Sequence, residues 1–483
     1  MKRTILLLPV LIGGLALTPA GQVTAQAFTV LHNFTATSGP LSTNNDGTSP
    51  RAGLIQSGSS LYGTASGGGS SGNGTVFRID TDGTGFTNLH SFSYGDGNSP
   101  YAGLILSDNT LFGTVPVGGS SGQGAVFKIN TDGTGFTNLH SFTAVSGPPK
   151  TNSDGSYPLS GLILSSNSLY GTAQEGGSSG VGTVFAVNMD GSGFTNLHSF
   201  TATSGPYPGT NSDGAYPVAG LVLSGNTLYG TASGGGSSGN GTVFKVNTDG
   251  TGFANLHSFP ATSGNFSTNS DGSSPRAGLI LSSNTLFGTA ILGGSSGHGT
   301  VFKVNMDGTG FTILHSFTAA SGPYPGTNSD GAYPVGLSML SGNTLYGMAN
   351  QGGSSGVGTV FKVNTDGGDF ANLHSFVLGS DGGYPIAGLV LSADTLYGTT
   401  QSGGSGDNGT AFSLSFAPQL TIAAFGSNVV LSWPSDFAGF SYAGYVLQSA
   451  PTSTGTFTNI SGATSPYTNP ITGAQKFFRL ISN

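Results

Sequence analysis

The chain has 483 residues and no cysteine, and its 12 basic and 20 acidic residues give a formal net charge of −8. The absence of cysteine excludes disulfides, thiolate metal sites, cysteine nucleophiles and a lipidated cysteine, and the acidic balance excludes the phosphate-neutralising surface of a nucleic-acid-binding protein. Charged residues make up only 7% of the chain and Gly numbers 85, yet 36% of the residues are apolar and recur in short fixed blocks, which favours a folded, β-rich repeat protein.

The N-terminal residues have the three parts of a secretory signal peptide. Met1–Arg3 is positively charged, Ile5–Leu17 is apolar, and Thr24–Ala27 ends in an Ala-x-Ala cleavage site. We therefore expect residues 1–27 to be removed, the mature chain to start near Phe28, and the protein to be secreted, extracellular or held at the cell surface. No other stretch reaches the roughly 18 uninterrupted apolar residues of a membrane-spanning helix, so no transmembrane segment is expected.

Internal repeats follow the leader. A Leu-His pair, a Leu-aromatic-Gly block and a Val/Ala-Phe block each occur seven times, with 50 to 59 residues between successive histidines. The paired histidines are His32, His90, His140, His198, His257, His315 and His374. One repeat shows four strand-like runs between turn signals, which we name a (Gly220–Ser224), b (Thr227–Thr231), c (Thr242–Val246) and d (Phe253–Phe259). Four antiparallel strands in a repeat of this length are typical of one β-propeller blade.

The two ends of the repeat region complement each other. It opens with a single d strand, Phe28–Phe34, and stops after a c strand, Gly409–Ser415. The first strand can complete the last blade and remove the open sheet edges. The sequence therefore predicts an all-β fold whose residues 28–416 form a seven-bladed β-propeller closed by strand 28–34. A parallel β-helix or another open solenoid is the alternative, although it would not need this offset.

The last segment, residues 418–483, lies outside the repeats and predicts a small β-sandwich-like domain of fibronectin or immunoglobulin type. Asn428–Pro434, Tyr445–Ser449 and Lys476–Ile481 have strand composition. Trp433, the only tryptophan, is expected to anchor the core.

The d-to-a and b-to-c loops are expected on one face of the propeller, which makes that face the candidate binding surface. The b-to-c loops are Gly-Gly-Ser-Ser-Gly runs, and the long d-to-a loops contain an Asn-x-Asp-Gly core. Tyrosines beside proline in these loops could stack on a sugar or peptide ligand, or could pack at the edge of their blades. The candidate ligand-binding residues are Tyr157, Tyr216, Tyr333, Tyr384, Asp154, Asp213, Asp330 and Glu175, and Tyr207 and Tyr324 lie in the same loops.

Most of the acidic residues keep step with the repeat, which is typical of turn-forming aspartates rather than of a unique catalytic set, so no catalytic residue is assigned. Glu175, the only glutamate, could act as a general acid beside Asp154, as paired carboxylates do in glycosidases, or be a solvated loop acid. The seven paired histidines are expected to hydrogen-bond between strands rather than to hold a metal, and His298 stands alone in a b-to-c loop.

Calcium is the one cofactor that the loops suggest. Their Asn-x-Asp-Gly cores offer the oxygen ligands that Ca²⁺ takes, but Asx turns explain the same residues equally well. The candidates for such a site are Asp154, Asp213, Asp271 and Asp330. No other metal or cofactor is expected.

The repeat resembles a known family. The block Ala-Gly-Leu-x-Leu-Ser-x-Asn-Thr-Leu-Tyr-Gly-Thr-Ala, followed by Gly-Gly-Ser-Ser-Gly-x-Gly-Thr-Val-Phe-Lys-Val-Asn-Thr-Asp-Gly-Thr-Gly-Phe and Leu-His-Ser-Phe, is similar to the GloVer tandem repeat of exported, choice-of-anchor bacterial proteins. The resemblance covers Phe28 to about Phe416. It implies a surface or extracellular location and no particular activity.

Three functions remain open from the sequence. The first is a propeller that acts as a binding module for a carbohydrate or an extracellular protein. The second is a polysaccharide hydrolase or lyase that uses Glu175 and nearby aspartates. The third is a structural or adhesion component of a matrix.

Overall fold

The computed structural model describes residues 27–205, 209–264, 267–323, 326–339, 342–418, 420–437, 440–470 and 476–482. These residues form strands, turns and bends without a helix, so the predicted all-β class is confirmed, and the described part of the chain has no helix that could cross a membrane. Residues 1–26 of the predicted signal peptide, Tyr207 and Tyr324 lie outside the described residues.

The repeats form seven four-stranded sheets within the described residues. Sheets 1 to 3 contain β2 (Ile55–Ser57), β3 (Ser60–Ala65), β4 (Thr75–Asp80) and β5 (Thr87–Ser91); β6 (Ile105–Ser107), β7 (Thr110–Val115), β8 (Ala125–Asn130) and β9 (Thr137–Ser141); and β10 (Ile163–Ser165), β11 (Ser168–Ala173), β12 (Thr183–Asn188) and β13 (Thr195–Ser199). Sheets 4 to 6 contain β14 (Val222–Ser224), β15 (Thr227–Ala232), β16 (Thr242–Asn247) and β17 (Ala254–Ser258); β18 (Ile280–Ser282), β19 (Thr285–Ala290), β20 (Thr300–Asn305) and β21 (Thr312–Ser316); and β22 (Ala332–Met339), β23 (Thr344–Gln351), β24 (Thr359–Asn364) and β25 (Ala371–Ser375).

Sheet 7 joins strands from both ends of the repeat region. Its strands are β26 (Val390–Ser392), β27 (Thr395–Thr400), β28 (Thr410–Ser415) and β1 (Ala27–Asn33), in the order β1-β28-β27-β26. Strand β1 therefore takes the outer place that the d strand holds in the other sheets. The backbone contact that follows it is also the same, since Phe34 N–H donates to Gly409 O at 3.1 Å just as Phe92 N–H donates to Gly74 O at 2.9 Å.

Apolar residues of consecutive sheets pack into shared clusters. Tyr170 and Val184 of sheet 3 lie in one cluster with Leu228 and Phe244 of sheet 4. Phe244 is fully buried, and it fills the space beside Gly230 so closely that a Cβ on this glycine would lie 2.7 Å from the phenylalanine ring. The c strand Thr242–Asn247 is accordingly buried along most of its length, and only Lys245 and Asn247 are partly exposed.

The chain divides into two compact units. One takes Thr29–Ser392 and Tyr397–Ser413, and the other takes Leu414–Asn483 with Ala27, Phe28 and Ala393–Leu396.

The second unit contains eight further strands among the described residues. They are β29 (Thr421–Phe425), β30 (Asn428–Ser432), β31 (Asp436–Phe437), β32 (Phe440–Ser441), β33 (Tyr445–Ala450), β34 (Thr458–Asn459), β35 (Tyr467–Pro470) and β36 (Phe477–Ser482), in sheets of order β29-β30-β35, β31-β32 and β34-β33-β36. Leu431, Leu447 and Leu480 form the buried centre. Trp433 is only partly buried and packs against this core from outside the buried cluster, so it is not the central anchor that its uniqueness suggested.

Candidate functional site

The d-to-a and b-to-c loops pair directly with each other. Isolated bridges join Ser156 to Glu175, Ala215 to Gly234 and Ser273 to Leu292, and equivalent bridges occur in other repeats. The long d-to-a loops also fold back on themselves as small hairpins, for example between Ser146 and Thr151. Backbone pairing therefore holds both kinds of loop together in one surface.

Each repeat histidine lies beside the aspartate of the loop that follows it. The Nε2–Oδ2 distances are 2.9 Å for His32–Asp46, 3.1 Å for His90–Asp96, 3.0 Å for His140–Asp154, 3.0 Å for His198–Asp213, 3.1 Å for His257–Asp271, 3.0 Å for His315–Asp330 and 3.0 Å for His374–Asp381. The expected partner was a neighbouring strand, whereas the observed one is a loop carboxylate. Because the spacing to that aspartate varies with loop length, the sequence alone does not pair them.

The histidine ring also contacts the next sheet. His198 of sheet 3 stacks on Phe253 of sheet 4 with 3.7 Å between the ring centroids and an interplanar angle of 7°. Phe253 in turn stacks on Phe244 of its own sheet at 5.6 Å. The histidine therefore connects a strand, a loop and the following sheet.

The loop aspartates of four long-loop repeats are saturated with hydrogen bonds. Asp213 accepts from His198 Nε2, from Thr201 N at 3.0 Å and from the Thr201 hydroxyl. Asp46, Asp154 and Asp330 have the same three donors in their own repeats. Burial by itself raises the pKa of Asp213, but the hydrogen bonds from His198 and Thr201 outweigh it and hold the pKa below its ordinary value of 3.8. The carboxylates are thus charged and buried, and their oxygens already accept hydrogen bonds.

The neighbouring asparagine is equally occupied. Asn211 donates to Thr201 O and Gly214 O, while its Oδ1 accepts from Gly214 N and Gly236 N. These four bonds use all the hydrogen-bonding capacity of the amide for bracing the loop. The side-chain oxygens that suggested a calcium site therefore accept hydrogen bonds within the loop. Within the described ranges, no three His, Asp or Glu side chains are grouped to hold a metal ion.

Sheet 5 is preceded by a departure from this arrangement. Pro260 occupies the place of Thr201, and proline offers neither an N–H nor a hydroxyl. Asp271 keeps a hydrogen bond from the adjacent Ser270 hydroxyl and is more exposed than Asp213, with side-chain exposures of 21% and 7%. His257 Nε2 approaches it to 3.1 Å without the alignment of a hydrogen bond.

Each candidate tyrosine lies immediately before a proline and has a strained backbone conformation. Tyr157, Tyr216, Tyr333 and Tyr384 have φ between 55° and 59°, a region that non-glycine residues rarely adopt. A hydrogen bond to the preceding sheet stabilises this conformation, because each tyrosine N–H donates to a carbonyl oxygen in the b-to-c loop of that sheet at 2.7 to 3.0 Å. All four side chains are half-buried, and Tyr216 packs against the apolar cluster of sheets 3 and 4. Their role in ligand binding stays a prediction.

Glu175 is partly exposed beside a basic residue. Its Oε2 lies 3.8 Å from Lys150 Nζ, and both residues belong to loops that lead into or lie within sheet 3. Asp154, the proposed second carboxylate, is buried and bonded to His140 and Thr143. The pair therefore lacks the free second carboxylate that a glycosidase needs.

Two contacts near these loops were not predicted from the sequence. His298 lines a cavity of about 240 Å³ together with Tyr333, and the Arg51 guanidinium lies 4.8 Å from the centre of the Tyr101 ring. Both involve residues that differ between repeats at positions next to constant ones. Aligning the seven repeats and marking such departures is the signal that would have found them.

A model of the Gloeobacter/Verrucomicrobia repeat matches residues 16–151, 148–269, 207–328 and 264–465, which together cover most of the chain and confirm the resemblance seen in the repeats. No curated protein matches.

Solved structures match this chain at low sequence identity and with TM-scores below 0.5. An oligogalacturonate lyase from Vibrio parahaemolyticus is 11% identical, with coverage of 86% of this chain and 98% of the lyase and a TM-score of 0.49. A GH74 enzyme from Niastella koreensis is 15% identical, with coverage of 82% and 64% and a TM-score of 0.44. TolB from Acinetobacter baumannii is 9% identical, with coverage of 89% and 78% and a TM-score of 0.34.

Proposed function

The chain belongs to the Gloeobacter/Verrucomicrobia repeat family, and on that premise we propose that its repeats form a closed seven-bladed β-propeller that binds a carbohydrate outside the cell without catalysing a reaction. The leader read from residues 1–27 supports export. Residues 28–416 would form the propeller and residues 418–483 a separate sandwich-like domain.

Contacts between the first and last sheets support the closed ring. Thr399 of sheet 7 donates from its hydroxyl to Ala52 O, at the entry to sheet 1, at 2.9 Å. The same contact joins sheets 2 and 3, where the Thr114 hydroxyl donates to Ser160 O at 2.9 Å. Sheet 7 thus contacts sheet 1 through the same bond by which sheets 1 to 4 contact their successors, which supports a closed series of sheets.

One observation carries the binding role: the repeated acids and histidines of the loop surface are consumed in bracing the loops. Asp213 has three donors and its partner His198 is stacked between sheets, so neither is available as an acid, base or metal ligand. The acids and histidines that recur in the repeats therefore supply no catalytic set. A rigid surface with variable residues is instead what recognition requires, because little entropy is lost on binding.

The variable positions favour sugars as ligands. The variable position before the loop proline is tyrosine in four repeats. Variable positions in the b-to-c loops are occupied by residues such as Glu175, Gln351 and His298. Aromatic rings with adjacent polar groups suit a ligand that has C–H faces and hydroxyl edges.

Affinity electrophoresis tests this proposal. The wild-type protein is run through gels that contain single neutral or acidic polysaccharides, and each polysaccharide is assayed in parallel for new reducing ends and unsaturated products. We expect retardation by at least one polysaccharide and no product. Migration that no polysaccharide changes, or cleavage that Glu175→Gln abolishes, would overturn the proposal.

A further inference from the structure

One b-to-c loop carries the eighth histidine of the chain, outside the Leu-His pairs. His298 precedes Gly299, at a position that is held in the other repeats by Asn73, Gln123, Val181, Asn240, Val357 and Asn408. Nothing in the bracing of the loops requires a histidine there, because the contact this position makes to the next sheet uses its backbone carbonyl.

The histidine is held in one orientation beside a tyrosine. Tyr333 N–H donates to His298 O at 2.9 Å, and the two rings lie 5.4 Å apart with an interplanar angle of 35°. His298 Nδ1 lies 2.8 Å from Ser296 O. A carbonyl oxygen can only accept, so Nδ1 carries a proton, and in the neutral ring Nε2 is left with a lone pair.

The two rings line the cavity of about 240 Å³. Gly322, Gly326 and Ala332 form much of the rest of its wall, together with the amide residue Gln351, and none of the described lining residues is an acid, a lysine or an arginine. Ligand pockets for drug-sized molecules measure about 300–1,000 Å³, so this one suits a single ring.

We propose that this cavity binds one neutral hexopyranose unit of the ligand, with the Tyr333 ring against a C–H face of the sugar and His298 Nε2 accepting a hydrogen bond from a hydroxyl. The uncharged wall favours a neutral sugar, since an acidic one would lose its hydration without gaining a cation. This inference rests on the proposed function and assigns its selectivity to one of seven equivalent positions.

Another repeat supplies a matched control. Ser99 has φ of 57° and donates from its N–H to Asn73 O at 2.9 Å, so Asn73 and Ser99 repeat the backbone geometry of His298 and Tyr333 without an imidazole or a phenol ring. Substitutions can also be borrowed from other repeats. Valine already occupies the histidine position at Val181, and serine occupies the tyrosine position at Ser49 with φ of 51°.

The test titrates the full chain with neutral oligosaccharides of glucose, galactose and mannose by isothermal calorimetry. Wild type is compared with His298→Val, Tyr333→Ser and the control Asn73→Val. We expect one series to bind, with affinity lowered about tenfold or more by each of the first two substitutions, as for the loss of one hydrogen bond or one stacking contact, and unchanged by the control. In spectra of ¹⁵N-labelled histidine, that sugar should shift the Nε2 resonance of His298.

The outcomes separate this inference from the proposed function. If a neutral oligosaccharide binds equally to wild type and to both variants, the assignment of the cavity is wrong and the binding function stands. If no neutral oligosaccharide binds, the cavity assignment is also wrong, and the electrophoresis decides independently whether the protein binds another polysaccharide or none.

Discussion

The loop aspartate of each repeat joins the end of strand d to the loop that follows it. The Asp213 carboxylate accepts hydrogen bonds from His198, from the Thr201 amide and from the Thr201 hydroxyl. These donors compensate its charge, rather than a cation from another part of the chain. Charge-assisted hydrogen bonds of this kind are stronger than neutral ones. The aspartates therefore have their main effect on the stability of the loop surface.

Replacing Asp213 by alanine should destabilise the protein more than the same change at Asp271. Asp213→Ala leaves the Thr201 amide and hydroxyl and His198 without their acceptor, and we expect the free energy of unfolding to fall by about 3 kcal/mol. Asp271→Ala should cost about 1 kcal/mol, because Pro260 provides no donors there and the carboxylate is more exposed. Urea unfolding measures both. Equal losses would contradict the structural role assigned to the threonine donors.

Stability should fall with acidity in two stages. Burial lowers the pKa of His90, His257 and His374 despite their aspartates, so these rings stay neutral in the folded protein while the unfolded chain takes up protons below pH 6.5. The loss of stability therefore begins as the pH drops below about 6.5. The aspartates account for the second stage, at lower pH. Their pKa in the folded protein is lowered, so their contribution to stability is present above pH 3.8 and is lost as the pH falls through the lower folded pKa.

The urea midpoint measured from neutral pH to about pH 3 checks this order. Replacing the three histidines by glutamine should remove the first stage and keep the second. A midpoint that stays constant down to pH about 4 would contradict the buried, neutral state of these rings.

At the scale of the element, the sequence predicted the four strands of a repeat within two residues. The b strand predicted at Thr227–Thr231 is Thr227–Ala232, and the c strand predicted at Thr242–Val246 is Thr242–Asn247. The a strand is shorter than predicted, because at its start Gly220 lies against the backbone of the preceding repeat, where an added Cβ would be 3.4 Å from Gly161 O. Close contact between sheets is not visible in the pattern of one strand.

Sheet 6 shows what one missing residue does to a repeat. Between Pro334 and Gly336 there is only Val335, whereas other repeats have two residues there, and the first strand of this sheet runs over Ala332–Met339 with a register shift at this point. Thr289 of the preceding sheet is buried, and its hydroxyl has no hydrogen-bond partner. In sheet 4 the equivalent hydroxyl, of Thr231, donates to Ala277 O, and the missing residue of sheet 6 corresponds to that alanine.

Thr289→Val should therefore leave stability unchanged or raise it by about 1 kcal/mol, since it removes a buried hydroxyl that bonds to nothing. The matched change Thr114→Val should lower stability by about 1 kcal/mol, because it removes the bond to Ser160 O. Thermal and urea unfolding of both variants check the contrast. A destabilising Thr289→Val would mean that the hydroxyl has an acceptor after all.

At the scale of the whole molecule, the two ends of the repeat region pair in one sheet. Strand β1 lies beside β28, so sheet 7 is completed by residues that the chain supplies first. The offset of the repeats predicted this pairing, and the sevenfold count of motifs predicted the number of sheets. The partial burial of Trp433 could not be predicted, because it depends on how nonrepeated strands pack. The cavity beside His298 could not be predicted either, because His298 and Tyr333 are 35 residues apart and meet only when consecutive sheets contact each other.

Removing residues 27–34 should open sheet 7 and expose β28 as an unpaired edge. We expect a lower thermal midpoint and concentration-dependent association, both reversed by adding a peptide of residues 27–34. Calorimetry and sedimentation measure the two effects. An unchanged midpoint in a monomeric shortened protein would contradict closure of the repeats by β1.

The most direct test of the whole account is the thermal unfolding midpoint of the wild-type protein across a panel of neutral and acidic glycans. A ligand that binds only the folded state raises the midpoint by mass action. The account predicts a rise with at least one neutral glycan, no rise with Ca²⁺, and an intact glycan recovered afterwards. A midpoint that no glycan raises at saturating concentration, or a rise that depends on Ca²⁺, would contradict a carbohydrate-binding surface whose acidic residues are already occupied.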